Sequence, residues 1–222
     1  MSSPEEAPLL VIVAGPNGAG KTTIAAPGPG GLLELFGLDA TERLNADDEA
    51  AARVAAGDAP GPETQLAAAR AIDARLAEAV EAGRSVLVET VLSSEKYRPL
   101  LERARARGYR TALVYVALQH HLLSAKRVKL RVAAGGHDVP ADRLAPRWKR
   151  SLENLVWFGA HADAVYVLDN SAGASGPALL VAITPEADYA DRDFIAMLPQ
   201  RLRDALQAML AERKALRESG TH

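Results

Sequence analysis

The sequence of 222 residues contains no cysteine, so disulfide bonds and thiolate metal centres are excluded. Aromatic residues are scarce, at 5% against 48% hydrophobic overall, so the core must be built mostly from Ala, Leu and Val. Net charge is also small, formally −2, which argues against a surface that binds nucleic acid over its whole extent. No apolar run approaches the roughly 20 residues that a membrane-spanning helix needs. The acidic opening "MSSPEEAP" precedes an apolar run too short for a secretory signal. The expectation is a soluble cytoplasmic protein of one domain, residues 1–222.

Short apolar runs alternate with longer helical patterns. Buried strands are expected at Leu9–Gly15, Ser85–Thr90, Thr111–Leu118, Ala164–Asn170 and Ala178–Thr184, with a shorter one at Glu42–Asp47. Helices are expected over Thr22–Ala26, from about Asp48, over Thr64–Ala82, over about Tyr97–Arg107, and from about Asp191 to Arg217. Two further basic helices flank "GGHDVP", Gly135–Pro140. This alternation predicts an α/β fold, a mostly parallel sheet covered on both faces. Ligands in such sheets bind beyond the carboxyl ends of the strands, which would put all the strand ends on one working edge.

The segment Gly15-Pro16-Asn17-Gly18-Ala19-Gly20-Lys21-Thr22, followed by Thr23, fits G-x-x-x-x-G-K-[ST] in full, after a strand and before a helix. Its glycines let the backbone curl so that N–H groups point inward at phosphate oxygens. The next helix adds its positive N-terminal end. Lys21 would reach the β- and γ-phosphates of ATP, and Thr22 would hold Mg²⁺.

Two acidic positions qualify as reaction partners. In "NADDEA", Asp47 or Asp48 could accept a proton from an attacking hydroxyl, whereas Asn45 or Asp47 could instead cap the helix that follows. Glu89 ends the apolar strand "VLVE", where a carboxylate is costly without a cation, a hydroxyl or a metal-bound water beside it. The other acidic strand end, Asp169 in "VYVLD", lies far down the chain. Asn170 beside it is a candidate contact to the adenine, or simply a turn residue. Lys126 to Arg150 carries eight Lys or Arg and two acids, a local charge of about +6 in a net-negative chain. Arg127 and Arg131 share one helix face, and Arg143, Arg147 and Arg150 form a second stripe. The arrangement suits a helical lid over about residues 120–158 that brings guanidiniums to a transferring phosphoryl group. A solvated face, an RNA surface or a site for an acidic protein are the competing readings. With only Trp148 and Trp157 for stacking, RNA is disfavoured. His137 reads as a turn residue.

Taken together, "AGPNGAGKTT", "LNADDEA", "VETVLSS", "RVKLRVAAGGHDVP", "RWKRSLENL" and "VYVLDNS" resemble the zeta-toxin family of small P-loop kinases, in particular its zeta-toxin-like branch, often labelled predicted ABC-type ATPases. The resemblance spans roughly residues 8–171. It implies a three-layer P-loop fold of the adenylate-kinase type. It also implies transfer of the ATP γ-phosphate to a small-molecule hydroxyl, in well-studied members one of UDP-N-acetylglucosamine, and an antitoxin protein as a partner. By motif, Asp47 resembles the carboxylate that activates the acceptor, with Asn45, Glu89 and Thr90 on the substrate side. Arg131 and Arg147 resemble the arginines that bracket the phosphates, with Arg127 and Arg150 as competitors.

Overall fold

The computed structural model describes residues 7–26, 31–35, 42–134, 139–172 and 176–220. The helix-breaking run at 27–30 and the turn at 135–138 that carries His137 lie outside the described residues. In chain order the elements are β1 (Leu9–Ala14), α1 (Lys21–Ile24), α2 (Leu32–Leu35), β2 (Glu42–Asn45), α3 (Ala46–Ala55), α4 (Pro62–Glu81), β3 (Val86–Thr90) and α5 (Arg98–Ala106). They continue with β4 (Arg110–Ala117), α6 (His121–Ala133), α7 (Ala141–His161), β5 (Ala164–Asp169), β6 (Ala178–Ile183), β7 (Asp188–Ala190), α8 (Arg192–Met197) and α9 (Gln200–Glu218).

These strands make one seven-stranded sheet in the order β2-β3-β1-β4-β5-β6-β7. The first five run parallel. The order reverses at β1, whose successors lie to both sides, so the crevice beyond its carboxyl end is the natural ligand position. One departure from the sequence reading concerns β6, which runs antiparallel to β5. Only eight residues separate Asp169 from Ala178, too few for the crossover that a parallel neighbour requires. The carboxyl end of β6 therefore lies on the opposite edge from those of β1 to β5. A short further strand, β7, pairs antiparallel with β6.

Strand residues alternate between two cores. On one face Leu10, Ile12, Leu44, Val88, Leu113, Tyr115 and Val167 meet α4, α5, α7 and α9 through residues such as Leu76, Leu101, Phe158 and Leu206. On the other, Val11, Val13, Leu87, Val114, Val116 and Leu168 meet Ala19, Ile24 and Leu33 around α1 and α2. A smaller apolar cluster, Val128, Val139 and Leu144, joins α6 to α7.

The expected helix from Asp191 to Arg217 is divided into α8 and α9. Pro199 is the cause: it has no N–H to continue α8, and its φ of −53° suits the residue that precedes α9. Helix α9 then packs along α7. The buried Arg213 donates to the carbonyls of Gly159 (3.0 Å), Ala162 (2.5 Å) and Asp163 (2.7 Å), satisfying groups that the end of α7 leaves open. Burial lowers the Arg213 guanidinium from its ordinary range to about 10.

The α7–α9 contact is close enough that a Cβ on Gly159 would meet the Met209 Sδ at 2.3 Å. Gly159→Ala is expected to force the helices apart and to cost about 1–3 kcal/mol in denaturant unfolding, without altering the sheet.

Candidate active site

The phosphate loop leaves β1 at Gly15, whose φ is +142°. A Cβ there would lie 2.2 Å from the Val116 carbonyl oxygen of β4, so only glycine lets the loop sit this close to the neighbouring strand. Several partners hold the carbonyl side of the loop. Ser124 Oγ donates to the Asn17 carbonyl (2.6 Å), and Asn170 Nδ2 donates to that of Ala19 (2.8 Å). Arg127 donates to the carbonyls of Gly18 (3.3 Å) and Asn170 (2.7 Å). A loop whose carbonyls are engaged by the protein presents its N–H groups to the other side, as anion binding requires. Ser124 is a loop anchor that the sequence reading missed, since a lone serine beside a run of lysines and arginines carries no signal of its own. Arg127 and Asn170, expected at substrate and adenine, are here part of the loop's support.

Lys21 opens α1, and its Nζ donates to the carbonyls of Gly15 (3.0 Å) and Pro16 (3.1 Å). Burial is the main cause that lowers its ammonium from the ordinary lysine range to about 8. Glu89 and then Asp47 oppose that shift, whereas Arg131 adds to it. These three side chains, drawn from β3, α3 and α6, are therefore within electrostatic reach of the ammonium. Thr22 Oγ1 donates to Glu89 Oε2 at 2.9 Å. A hydroxyl against a carboxylate that is only 6% exposed is a hard, oxygen-only donor set, which fits Mg²⁺. Arg43 of β2 lies 3.8 Å from the other Glu89 oxygen.

Asp47 sits in the first turn of α3. The helix begins at Ala46, earlier than expected, because Asn45 is its cap: Asn45 Oδ1 accepts from the Asp47 N–H at 2.9 Å. Asn45, expected on the substrate side, uses its side-chain oxygen in this way. The cap leaves the Asp47 carboxylate free to face the cleft, where Arg131 Nη1 approaches its Oδ2 to 3.9 Å. Asp47 is one of the two carboxylates that raise the Lys21 pKa against burial. Arg147 of α7 belongs to the same field. Burial lowers its pKa, neighbouring Arg143 and Arg150 add to that effect, and Asp47 opposes it.

Thr90 and Arg150 shape the loop after β3. Thr90 Oγ1 accepts from the Leu92 N–H (3.1 Å), Arg150 Nε donates to the Ser93 carbonyl (3.1 Å), and Asn154 Nδ2 donates to the Leu92 carbonyl (3.0 Å). These contacts hold the buried Leu92 at φ +58°, a left-handed conformation that costs about 1–2 kcal/mol for a residue with a side chain. Asp169 is buried at the end of β5. It accepts from Gln119 Nε2 (2.7 Å) and from the Ser171 N–H (3.1 Å), tying two strand ends together. The basic segment thus divides. The first half of α6 grips the phosphate loop, the second half of α7 lies in the core, and between them Arg131 approaches Asp47, with Arg147 within electrostatic reach of the same carboxylate. Thr23 is exposed beside Thr22.

Among the described residues no helix is long and apolar enough to cross a membrane, and no three or more His, Cys, Asp or Glu side chains are grouped so as to hold a metal ion by themselves. An open cavity of about 530 Å³, lined in part by Thr184, Glu186, Asp188 and Arg217, lies at the opposite edge of the sheet from the phosphate loop. Within its lining Arg217 pairs with Asp188.

No curated protein sequence matches the chain. Solved structures do match in fold. The AvrRxo1-ORF1:-ORF2 complex with ATP aligns at a TM-score of 0.62 and 14% identity, over 93% of this chain and 80% of that one. The PezAT chromosomal toxin–antitoxin system of Streptococcus pneumoniae aligns at 0.59 and 15% identity, over 98% and 89%. At such identities the likeness is one of fold, and it matches the sheet and helices described above. The family model described as "AAA domain" matches residues 10–155, the stretch that holds the phosphate loop, Asp47, Glu89 and both basic helix faces. The chain belongs to this AAA domain family of P-loop proteins and has a P-loop kinase-like fold.

Proposed function

We propose that the chain is an ATP- and Mg²⁺-dependent phosphotransferase of the zeta-toxin-like type, which moves the γ-phosphate to a hydroxyl of a small molecule. The observation that carries this reading is the meeting of a carboxylate, an ammonium and a guanidinium at the phosphate loop. Asp47, Lys21 and Arg131 come from three separate elements, yet each lies in the electrostatic field of the others. A protein that only binds nucleotide has no need of an exposed aspartate there.

In this reading the loop amides and Lys21 hold the β- and γ-phosphates, and Thr22 with Glu89 would hold the metal. The metal held there would supply positive charge to offset that of the phosphates. Asp47 accepts the proton of the acceptor hydroxyl as its oxygen bonds to the γ-phosphorus. The bond from that phosphorus to the β-γ bridging oxygen breaks, and ADP leaves. Arg131 and Arg147 offset the charge on the transferring group from the end of α6 and the first half of α7, the part of the expected lid over about residues 120–158 that neither anchors the phosphate loop nor packs in the core of the one kinase domain. UDP-N-acetylglucosamine is the first acceptor to try, on the strength of the sequence motifs. A second small protein chain is the partner to seek, since the similar structures named above include a toxin–antitoxin system and a two-chain complex.

Transfer is measured with γ-labelled ATP and a panel of acceptors that includes UDP-N-acetylglucosamine and other nucleotides and sugars. Lys21→Ala is expected to abolish transfer. Asp47→Asn should keep its nucleotide affinity and slow transfer by about 10²–10⁴-fold; near-normal turnover removes Asp47 as the base.

The lowered Lys21 pKa generates a pH test. A bound triphosphate favours the charged amine and raises its pKa, so binding takes up a proton once the free site begins to deprotonate. Nucleotide affinity should be level below about pH 7 and should fall as pH rises through about 8, with proton uptake visible by calorimetry in buffers of different ionisation heat. Lys21→Arg, charged throughout, should lose that slope; an equally steep slope in this variant would trace the effect to another group.

A further inference from the structure

Arg43 was not singled out by any motif, and its place in the fold sets it apart. In the parallel pairing of β2 with β3, Asn45 is opposite Glu89 and Arg43 is opposite Leu87. With alternate residues on alternate faces, Arg43 and Glu89 share the face on which α1 lies, while Leu44 and Val88 point into the other core. Three neighbours thus form one line across that face: Thr22 on α1, Glu89 on β3 and Arg43 on β2. The links are 2.9 Å from hydroxyl to carboxylate and 3.8 Å from carboxylate to guanidinium.

The other ion pairs of this sheet edge differ in kind. Arg75 and Arg84 reach Glu42 from outside, with nearly half of each arginine exposed. Glu89 is 6% exposed, so water contributes little to its solvation. Arg43 keeps its Nε buried without a hydrogen-bond partner, which is unfavourable by itself. An arginine whose Nε is in a poor local environment stands here next to the carboxylate that accepts from the threonine of the phosphate-loop motif.

On the reading that metal and nucleotide bind at Thr22, we infer that Arg43 is a positioning residue for the metal end of the site. It holds the Glu89 carboxylate turned toward Thr22 and thereby sets how strongly Mg²⁺ tightens nucleotide binding. Among the described residues its ion pair is with Glu89, and its effect runs through that carboxylate.

The test is a nucleotide titration with a fluorescent ATP analogue, in Mg²⁺ and in chelator, on wild type, Arg43→Met, Arg43→Lys, Glu89→Gln and the Arg43→Met/Glu89→Gln double variant. The ratio of the two affinities is the readout, independent of turnover. Arg43→Met should leave metal-free affinity unchanged and reduce the ratio about tenfold, the usual scale for losing an outer partner of a metal ligand. Arg43→Lys should recover most of the ratio, and adding Arg43→Met to Glu89→Gln should change nothing further. A wild-type ratio in Arg43→Met, or a further drop in the double variant, overturns the inference while leaving the kinase reading intact. Should Arg43→Met fail to fold, the double variant should regain folding because no unpaired buried carboxylate is left, and Glu89→Gln alone should show the reduced ratio. A double variant that stays unfolded, or an unchanged ratio in Glu89→Gln, refutes it. Wild-type nucleotide binding that is indifferent to Mg²⁺ overturns both this inference and the reading beneath it.

Discussion

Everything at the site depends on how the backbone of the phosphate loop is held. Its residues must curl so that the N–H groups, which all but Pro16 carry, converge, and that requires their carbonyls to find partners elsewhere. Ser124, Arg127 and Asn170 provide them, from α6 and from the end of β5, and the missing Cβ of Gly15 lets the loop press against Val116. The loop is therefore organised by the tertiary structure before any ligand arrives. Such preorganisation is what makes a set of backbone dipoles an effective anion site, because no reorganisation opposes binding.

That support also explains the division of labour among the basic residues. Charge alone does not tell an arginine that contacts phosphate from one that props up backbone. Arg127 and Arg150 donate to carbonyls, and those bonds direct their guanidiniums toward the protein. Arg131 instead approaches the Asp47 carboxylate, and Arg147 feels the charge of the same group. Burial is the main cause that pushes the Arg147 and Lys21 pKa values down; at Arg147 the like-charged Arg143 and Arg150 add to it and Asp47 opposes it.

Much of the fold was legible because its signals are local. Runs such as Leu9–Ala14 and residues 111–117 are buried on both faces and read as central strands. Gly83 and Gly108 both follow helices and take φ values of +69° and +80°, as the helix stops anticipated there require. The misreadings share a cause. The direction of β6 is set by the length of a connection and by sheet pairing, not by its apolar pattern. The helix boundary at Asn45 is decided by one side-chain hydrogen bond. The break at Pro199 sits inside an otherwise continuous amphipathic pattern.

The sequence by itself determined the phosphate loop, the α/β class and the short list of charged residues, since a glycine pattern, a strand period and a charge excess are properties of neighbouring residues. Only the tertiary structure decided which of those charges meet. Glu89 reaches Thr22 across 67 positions of chain, and Arg131 reaches Asp47 from a different helix. Electrostatic coupling depends on distance through space, and that distance is set by the order of strands in the sheet, which no local stretch encodes.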